Sequence, residues 1–171
     1  MRWFWIDRFT EFVSGSGATA VKNVSLSEEH LHDHFPGYPV MPGSLIVEGM
    51  AQTGGLLVSE HFQFSELVVL GKVAKCEIRD AARPGDRIVY RCSVEQIKDG
   101  GALVTASGQV EGRDLAVAEI FFARMENAAA ASRRSLFNRR DLLNWLSIVG
   151  VFEVGRTQDG QPLSPEMYGF V

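Results

Sequence analysis

His34-Phe35-Pro36-Gly37-Tyr38-Pro39-Val40-Met41-Pro42-Gly43 leads directly into Ser44-Leu45-Ile46-Val47-Glu48-Gly49-Met50-Ala51-Gln52, and this stretch decides how the chain folds. A histidine stands in a loop stiffened by prolines, and fourteen residues later a lone carboxylate, Glu48, interrupts an apolar run. Leu45, Ile46, Val47, Met50, Ala51, Leu56, Leu57 and Val58 make the segment apolar nearly all round, as in a helix enclosed by its own domain. Pro42 suits a first helical turn, where its missing N–H would have no intrahelical acceptor anyway. Glu48 and Gln52 are the strong polar groups of the run before Ser59, and their i, i+4 spacing puts them on one face within hydrogen-bond reach. An isolated charge is costly to bury, so Glu48 is expected to keep its proton or to be tightly hydrogen-bonded. Gly49, Gly54 and Gly55 each weaken a helix by roughly 1 kcal/mol relative to alanine, which points to a neighbouring element in close approach.

A histidine held by a rigid loop and a carboxylate in apolar surroundings are the parts of an acid/base site. Each has a plainer explanation. Glu48 could pair with an arginine from elsewhere in the chain, and His34 could be an ordinary solvated loop residue. Their occurrence together favours chemistry. His30, His32 and His34 alternate, and on a strand they would offer three metal ligands. Pro36 and Pro39 argue against a strand and no cysteine lies nearby, so no metal site is expected, and His30 and His32 are assigned to the surface.

The rest of the chain excludes several classes. A length of 171 residues with 46% hydrophobic and 22% charged content supports one main domain with a real core. A net charge of −4 speaks against nucleic-acid binding. The start, Met1-Arg2-Trp3-Phe4-Trp5-Ile6-Asp7, acquires an acid too early for a signal peptide, and Glu48 and Gln52 break the longest apolar stretch, so no membrane span is expected. Cys76 and Cys92 have no spaced framework, which suits a reducing cytoplasm.

Period-2 segments bounded by turn residues predict strands at about 3–13, 18–26, 67–79, 87–98, 102–111 and 115–125. A short helical turn is expected from Ser27, with that serine as N-cap. One long apolar helix followed by hairpin-linked strands is the pattern of an α+β domain in which an antiparallel sheet wraps a central helix. Beyond it, Asn138 can cap a helix at about 139–149 whose apolar face is Leu142, Trp145, Leu146 and Val149, ending near Gly150. Arg133, Arg134, Arg139 and Arg140 form a basic cluster, either a solvated linker or a docking surface for an acidic partner.

Val21-Lys22-Asn23-Val24-Ser25, the His34-to-Gly43 loop and Glu48-Gly49-Met50-Ala51-Gln52 together resemble the 3-hydroxyacyl-[acyl-carrier-protein] dehydratases of bacterial type II fatty-acid synthesis, a family with the hot-dog fold. The likeness runs in order over about residues 3 to 125 and takes in Trp5-Ile6-Asp7-Arg8 and Arg83-Pro84-Gly85-Asp86. Three departures stand out: Gly49 where the family usually has alanine, Ser44 where it often has an apolar residue, and residues 127–171 beyond its usual end.

The resemblance implies a hot-dog dehydratase domain over 1–126 and a C-terminal helical extension over 127–171. It implies dehydration of a (3R)-3-hydroxyacyl thioester, carried on the phosphopantetheine arm of acyl carrier protein, to the trans-2-enoyl thioester. His34 would take the proton beside the thioester carbonyl, and Glu48 would protonate or position the departing hydroxyl. The Gly43 N–H would polarise the carbonyl at the helix start, and Gln52 would orient Glu48. Phe35, Pro36, Gly37, Pro39 and Pro42 would serve loop geometry. A glutamate, rather than the aspartate of relatives that also isomerise the double bond, points to dehydration alone. No cofactor is implied beyond the carrier's arm. The implied unit is a homodimer with shared sites, His34 from one protomer and Glu48 from the other, which could assemble further into a trimer of dimers. A hot-dog thioesterase and a non-catalytic acyl-carrier-binding or assembly subunit stay open as alternatives.

Overall fold

The computed structural model describes residues 4–125 and 138–170. The sheet is built from β1 (Arg8–Val13), β2 (Gly17–Asn23), β3 (Leu67–Ile78), β4 (Arg87–Lys98), β5 (Gly101–Val110), β6 (Arg113–Met125) and the short β7 (Gly155–Arg156). Its strand order is β3-β6-β5-β4-β2-β1-β7, antiparallel throughout except for the parallel β1–β7 pair. Helix α1 (His30–Asp33) precedes the long helix α2 (Gly43–His61), which lies across β2, β3, β4, β5 and β6. Buried positions alternate with exposed or half-buried ones in β4 and with half-buried ones in β5, so one face of the sheet packs on α2 and the other is more open to solvent.

The α2 glycines explain the tight contact. A methyl on Gly49 would lie 2.3 Å from the ring of Tyr90, and one on Gly54 would lie 3.1 Å from Val104 and 3.2 Å from Phe122. Large side chains from the sheet occupy the volume that alanines on the helix would fill. Met50, Leu57, Tyr90, Val104 and Ile120 are completely buried at this interface. No helix among the described residues is long and apolar enough to cross a membrane.

Two local expectations are corrected. The first strand begins at Arg8 rather than Trp3, because the Trp5 N–H is taken by the Gln52 side chain and pairing with β2 starts only at Arg8 and Val21. Ser27 caps no helix: α1 has Glu29 at its N-cap, without a side-chain cap bond. The preceding turn is closed by Glu28, which accepts from the Ser25 N–H at 2.8 Å and from Lys22 Nζ at 3.0 Å. That Ser-x-x-Glu pairing is one half of a capping box.

Past residues 126–137, which lie outside the described residues, Asn138 accepts the Arg140 N–H at 2.9 Å and opens helix α3 (Arg139–Ile148). Gly150, at φ +75, ends that segment, and a short helix α4 (Val151–Val154) leads into β7. Leu146, Val149, Val151 and Leu163 join the same hydrophobic core as the sheet and α2. The Phe9 N–H donates to the Val149 carbonyl at 2.7 Å, and β7 covers the edge that β1 would otherwise expose. At the opposite edge β3 has no outer neighbour among the described residues, and most of its side chains are exposed.

Candidate active site

The His34 loop is a closed turn. Phe35 and Tyr38 exchange backbone bonds at 3.0 and 2.9 Å, with Pro36 and Gly37 between them. Gly37 has φ +76, the left-handed conformation that the third residue of a Pro-Gly type II turn requires. The Val40 N–H returns to the His34 carbonyl at 2.9 Å, and Met41 ties the loop to Ala82 at 2.8 Å. The His34 imidazole, half-buried, lies against the Phe35 ring with centroids 4.0 Å apart. Arg83 sits over the Tyr38 ring at 4.7 Å and donates to its hydroxyl, bracing the turn from outside.

Pro42 is the N-cap of α2, with its carbonyl accepting from Leu45 at 2.9 Å and Ile46 at 3.3 Å. Gly43 is the first helical residue. Its N–H has no acceptor among the described residues, as first-turn amides lack intrahelical partners, and it lies at the positive end of the helix. A side chain there would press on Ile78 at 3.3 Å, so the end of β3 sets how closely this helix start is packed.

One turn further on, Gln52 Nε2 donates to Glu48 Oε1 at 3.0 Å, and Gln52 Oε1 accepts the Trp5 N–H at 2.8 Å. The amide is thus fixed on both sides and presents its donor to the carboxylate. The expected i, i+4 pairing is present. The expected burial of Glu48 is not: among the described residues its side chain is only half-buried. The acid that α2 does bury is Glu60, 2% exposed, whose Oε1 accepts the Tyr168 hydroxyl at 2.7 Å. Among the described residues no hydrogen bond or ion pair joins His34 to Glu48 within the chain.

His30 and His32 part company. His32 is exposed, but His30 is half-buried, with its ring edge-on to Trp5 at 5.2 Å and burial holding its pKa below the ordinary value of 6.5. The assignment of His30 to the surface is therefore corrected: position 30 opens α1, and the helix turns it inward onto Trp5. Among the described residues no group of three His, Cys, Asp or Glu side chains is arranged to hold a metal. Cys76 and Cys92 are free thiols, and burial pushes the Cys92 thiol up to about 12. Of the basic cluster, Arg133 and Arg134 lie outside the described residues. Arg139 stacks on Phe170 at 4.9 Å and donates to the Tyr168 carbonyl at 2.6 Å, so it serves the extension's own packing. Arg140 is exposed.

Sequence reasoning missed Trp5 and Glu60. Trp5 acts through its backbone N–H, which no side-chain pattern signals. Glu60 is sealed by a tyrosine 108 residues away.

Residues 3–120 match the family described as the FabA-like domain. The chain is 37% identical over 118 residues to a protein named 3-hydroxyacyl-[acyl-carrier-protein] dehydratase FabZ from Ligilactobacillus salivarius, an alignment covering 68% of this chain and 84% of that one. It is 39% identical over 124 residues to the protein of the same name from a Nitratiruptor species, covering 67% and 82%. In three dimensions it resembles a hot-dog-like protein from Thermanaerovibrio acidaminovorans, with a TM-score of 0.58, 14% identity and coverage of 71% and 90%.

Proposed function

This chain belongs to the FabA-like domain family and has the hot-dog fold, and from that premise we propose that it dehydrates 3-hydroxyacyl thioesters carried on acyl carrier protein, in fatty-acid or related lipid synthesis. The observation that carries this reading is the disposition of α2: a glutamate held by Gln52 yet left accessible, on a helix whose open first turn follows the His34 loop.

The chemistry follows from those groups. His34 Nε2 or Nδ1 removes the proton next to the thioester carbonyl, since imidazole exchanges protons near neutral pH. Charge then accumulates on the carbonyl oxygen, which the Gly43 N–H and the positive helix end stabilise. The electron pair closes the carbon–carbon double bond as the 3-hydroxyl leaves, taking a proton from Glu48 to depart as water. Return of the proton from His34 to Glu48 restores both groups, so the cycle needs no oxidant, reductant or bound cofactor. Gln52 keeps the Glu48 carboxyl oriented, and Phe35, Pro36, Gly37 and Pro42 keep the loop in register.

That no hydrogen bond or ion pair joins His34 to Glu48 among the described residues supports a shared site, His34 from one protomer meeting Glu48 from its partner. A second copy would also answer two features of the surface: the long outer edge of β3, and the exposed apolar side chains Phe35, Tyr38, Leu70 and Ile78. We place the reaction in the cytoplasm, in keeping with two unlinked cysteines. In this reading the dehydratase domain spans residues 1–126 and residues 127–171 form its extension.

Incubation with a 3-hydroxyacyl carrier-protein thioester, followed by intact mass, tests the function. A product lighter by one water supports it. Release of the free acid would instead assign a thioesterase, and unchanged substrate a binding subunit.

A further inference from the structure

The acid and base branches of the site meet at one residue. The Trp5 N–H donates to Gln52 Oε1 at 2.8 Å, and Gln52 passes a hydrogen bond on to Glu48 at 3.0 Å. The indole of the same residue lies edge-on to the His30 imidazole, with centroids 5.2 Å apart and planes at 70°. His30 is the first residue of α1, and His34 is that helix's C-cap, one turn on. Trp5 itself is buried, 9% exposed, just ahead of β1. The buried His30 Nε2 makes no hydrogen bond among the described residues, so ring packing on Trp5 does much to hold that imidazole.

We infer that Trp5 is a positioning residue for the dehydration, its backbone setting Glu48 through Gln52 and its ring setting the His34 loop through His30 and α1. This rests on the assignment of His34 and Glu48 above. Misplacing a reacting group by about 1 Å can cost on the order of a hundredfold in rate, so one residue steadying both groups has leverage. If the sites are shared between protomers, Trp5 also ties the base of one site to the acid of the other.

The test uses the full chain and a carrier-bound 3-hydroxyacyl thioester. Trp5→Leu keeps the backbone N–H and most of the buried volume but loses the aromatic edge; Trp5→Phe keeps a ring. Trp5→Leu is expected to lower kcat by about tenfold or more while KM stays within about twofold, and Trp5→Phe to recover most of the loss. In long-range nitrogen-15 spectra of the imidazoles, Trp5→Leu should move the resonances of both His30 and His34 and leave His61 in place. A folded Trp5→Leu with wild-type kcat and an unmoved His34 resonance would overturn the inference. So would equal losses in Trp5→Leu and Trp5→Phe that merely track the folded fraction. His34→Ala and Glu48→Gln run alongside: if they turn over normally the catalytic assignment itself falls, and if they are inactive while Trp5→Leu is normal, only the role of Trp5 falls.

Discussion

Helix α2 carries a glutamate near each end, and the two have opposite surroundings. Glu60 is 2% exposed, with Tyr168 from the extension donating to it at 2.7 Å. Burial, with Glu60 beside it, raises the Tyr168 phenol above its ordinary range, so it stays a protonated donor. Glu48 is held just as directly, by Gln52 at 3.0 Å, but its chain leaves it half-open. The same residue type on the same helix is therefore a sealed structural group at one end and an available acid at the other. What separates them is the cover: Tyr168 of the extension closes the far end, while the near end stays half-open within the chain, where the proposed site would admit substrate and a second protomer.

The largest expected effect breaks the near end. His34→Ala and Glu48→Gln should each lose dehydration by at least about a hundredfold while keeping the wild-type melting curve. If the sites are shared, mixing the two inactive proteins and allowing subunit exchange should restore about a quarter of wild-type activity, because half the dimers are mixed and each has one intact site. No recovery after proven exchange would place both groups in one protomer's site.

Next to Glu48, Gly49→Ala should be strongly destabilising. The added methyl would meet the completely buried Tyr90 ring at 2.3 Å, and overpacking of this kind costs about 1–3 kcal/mol, to be read from denaturant midpoints. Adding Tyr90→Leu should return much of the loss, since it removes the ring that the new methyl would meet. A tolerated Gly49→Ala alone would mean that the helix can shift at this end.

The far end should respond in stability alone. Tyr168→Phe leaves the buried Glu60 carboxyl without its donor, a loss of about 1–3 kcal/mol, with kcat per folded molecule unchanged. A fall in kcat would join the two ends functionally and blur the contrast.

The smallest expected effect is one of pH. Burial lowers the His30 pKa below 6.5, so in the window just under 6.5 the unfolded chain binds a proton that the folded chain refuses. Stability is full above that window and falls as pH drops through it. His30→Phe should flatten this part of the curve of melting temperature against pH; an unchanged slope would assign the dependence to other groups.

Much of the near end was legible in the sequence because it is local. The Pro-Gly turn, the helix start after Pro42 and the Glu48–Gln52 pair each depend on residues within a few positions of one another. The β3, β4, β5 and β6 ranges, and the Asn138 cap, were legible for the same reason: alternation and capping are short-range signals. The glycines of α2 announced a close neighbour without naming Tyr90 or Phe122. What escaped was set by distant chain. The reach of Tyr168 to Glu60, the N–H of Trp5 on Gln52 and the pairing of β7 on β1 have no periodicity to betray them. The openness of Glu48 escaped too, since an apolar helix is the same whether its own chain or a second copy covers it.

The contrast between the two glutamates is tested most directly by one side-by-side measurement: single turnover of a carrier-bound 3-hydroxyacyl thioester by wild type, Glu48→Gln and Glu60→Gln, read by intact mass. The amide at position 60 still accepts from Tyr168, so wild type and Glu60→Gln are expected to yield the product lighter by one water at similar rates, and Glu48→Gln to leave the substrate intact. Loss of water at the wild-type rate by Glu48→Gln, or an equal loss of activity in Glu60→Gln, would contradict the assignment of Glu48 as the acid.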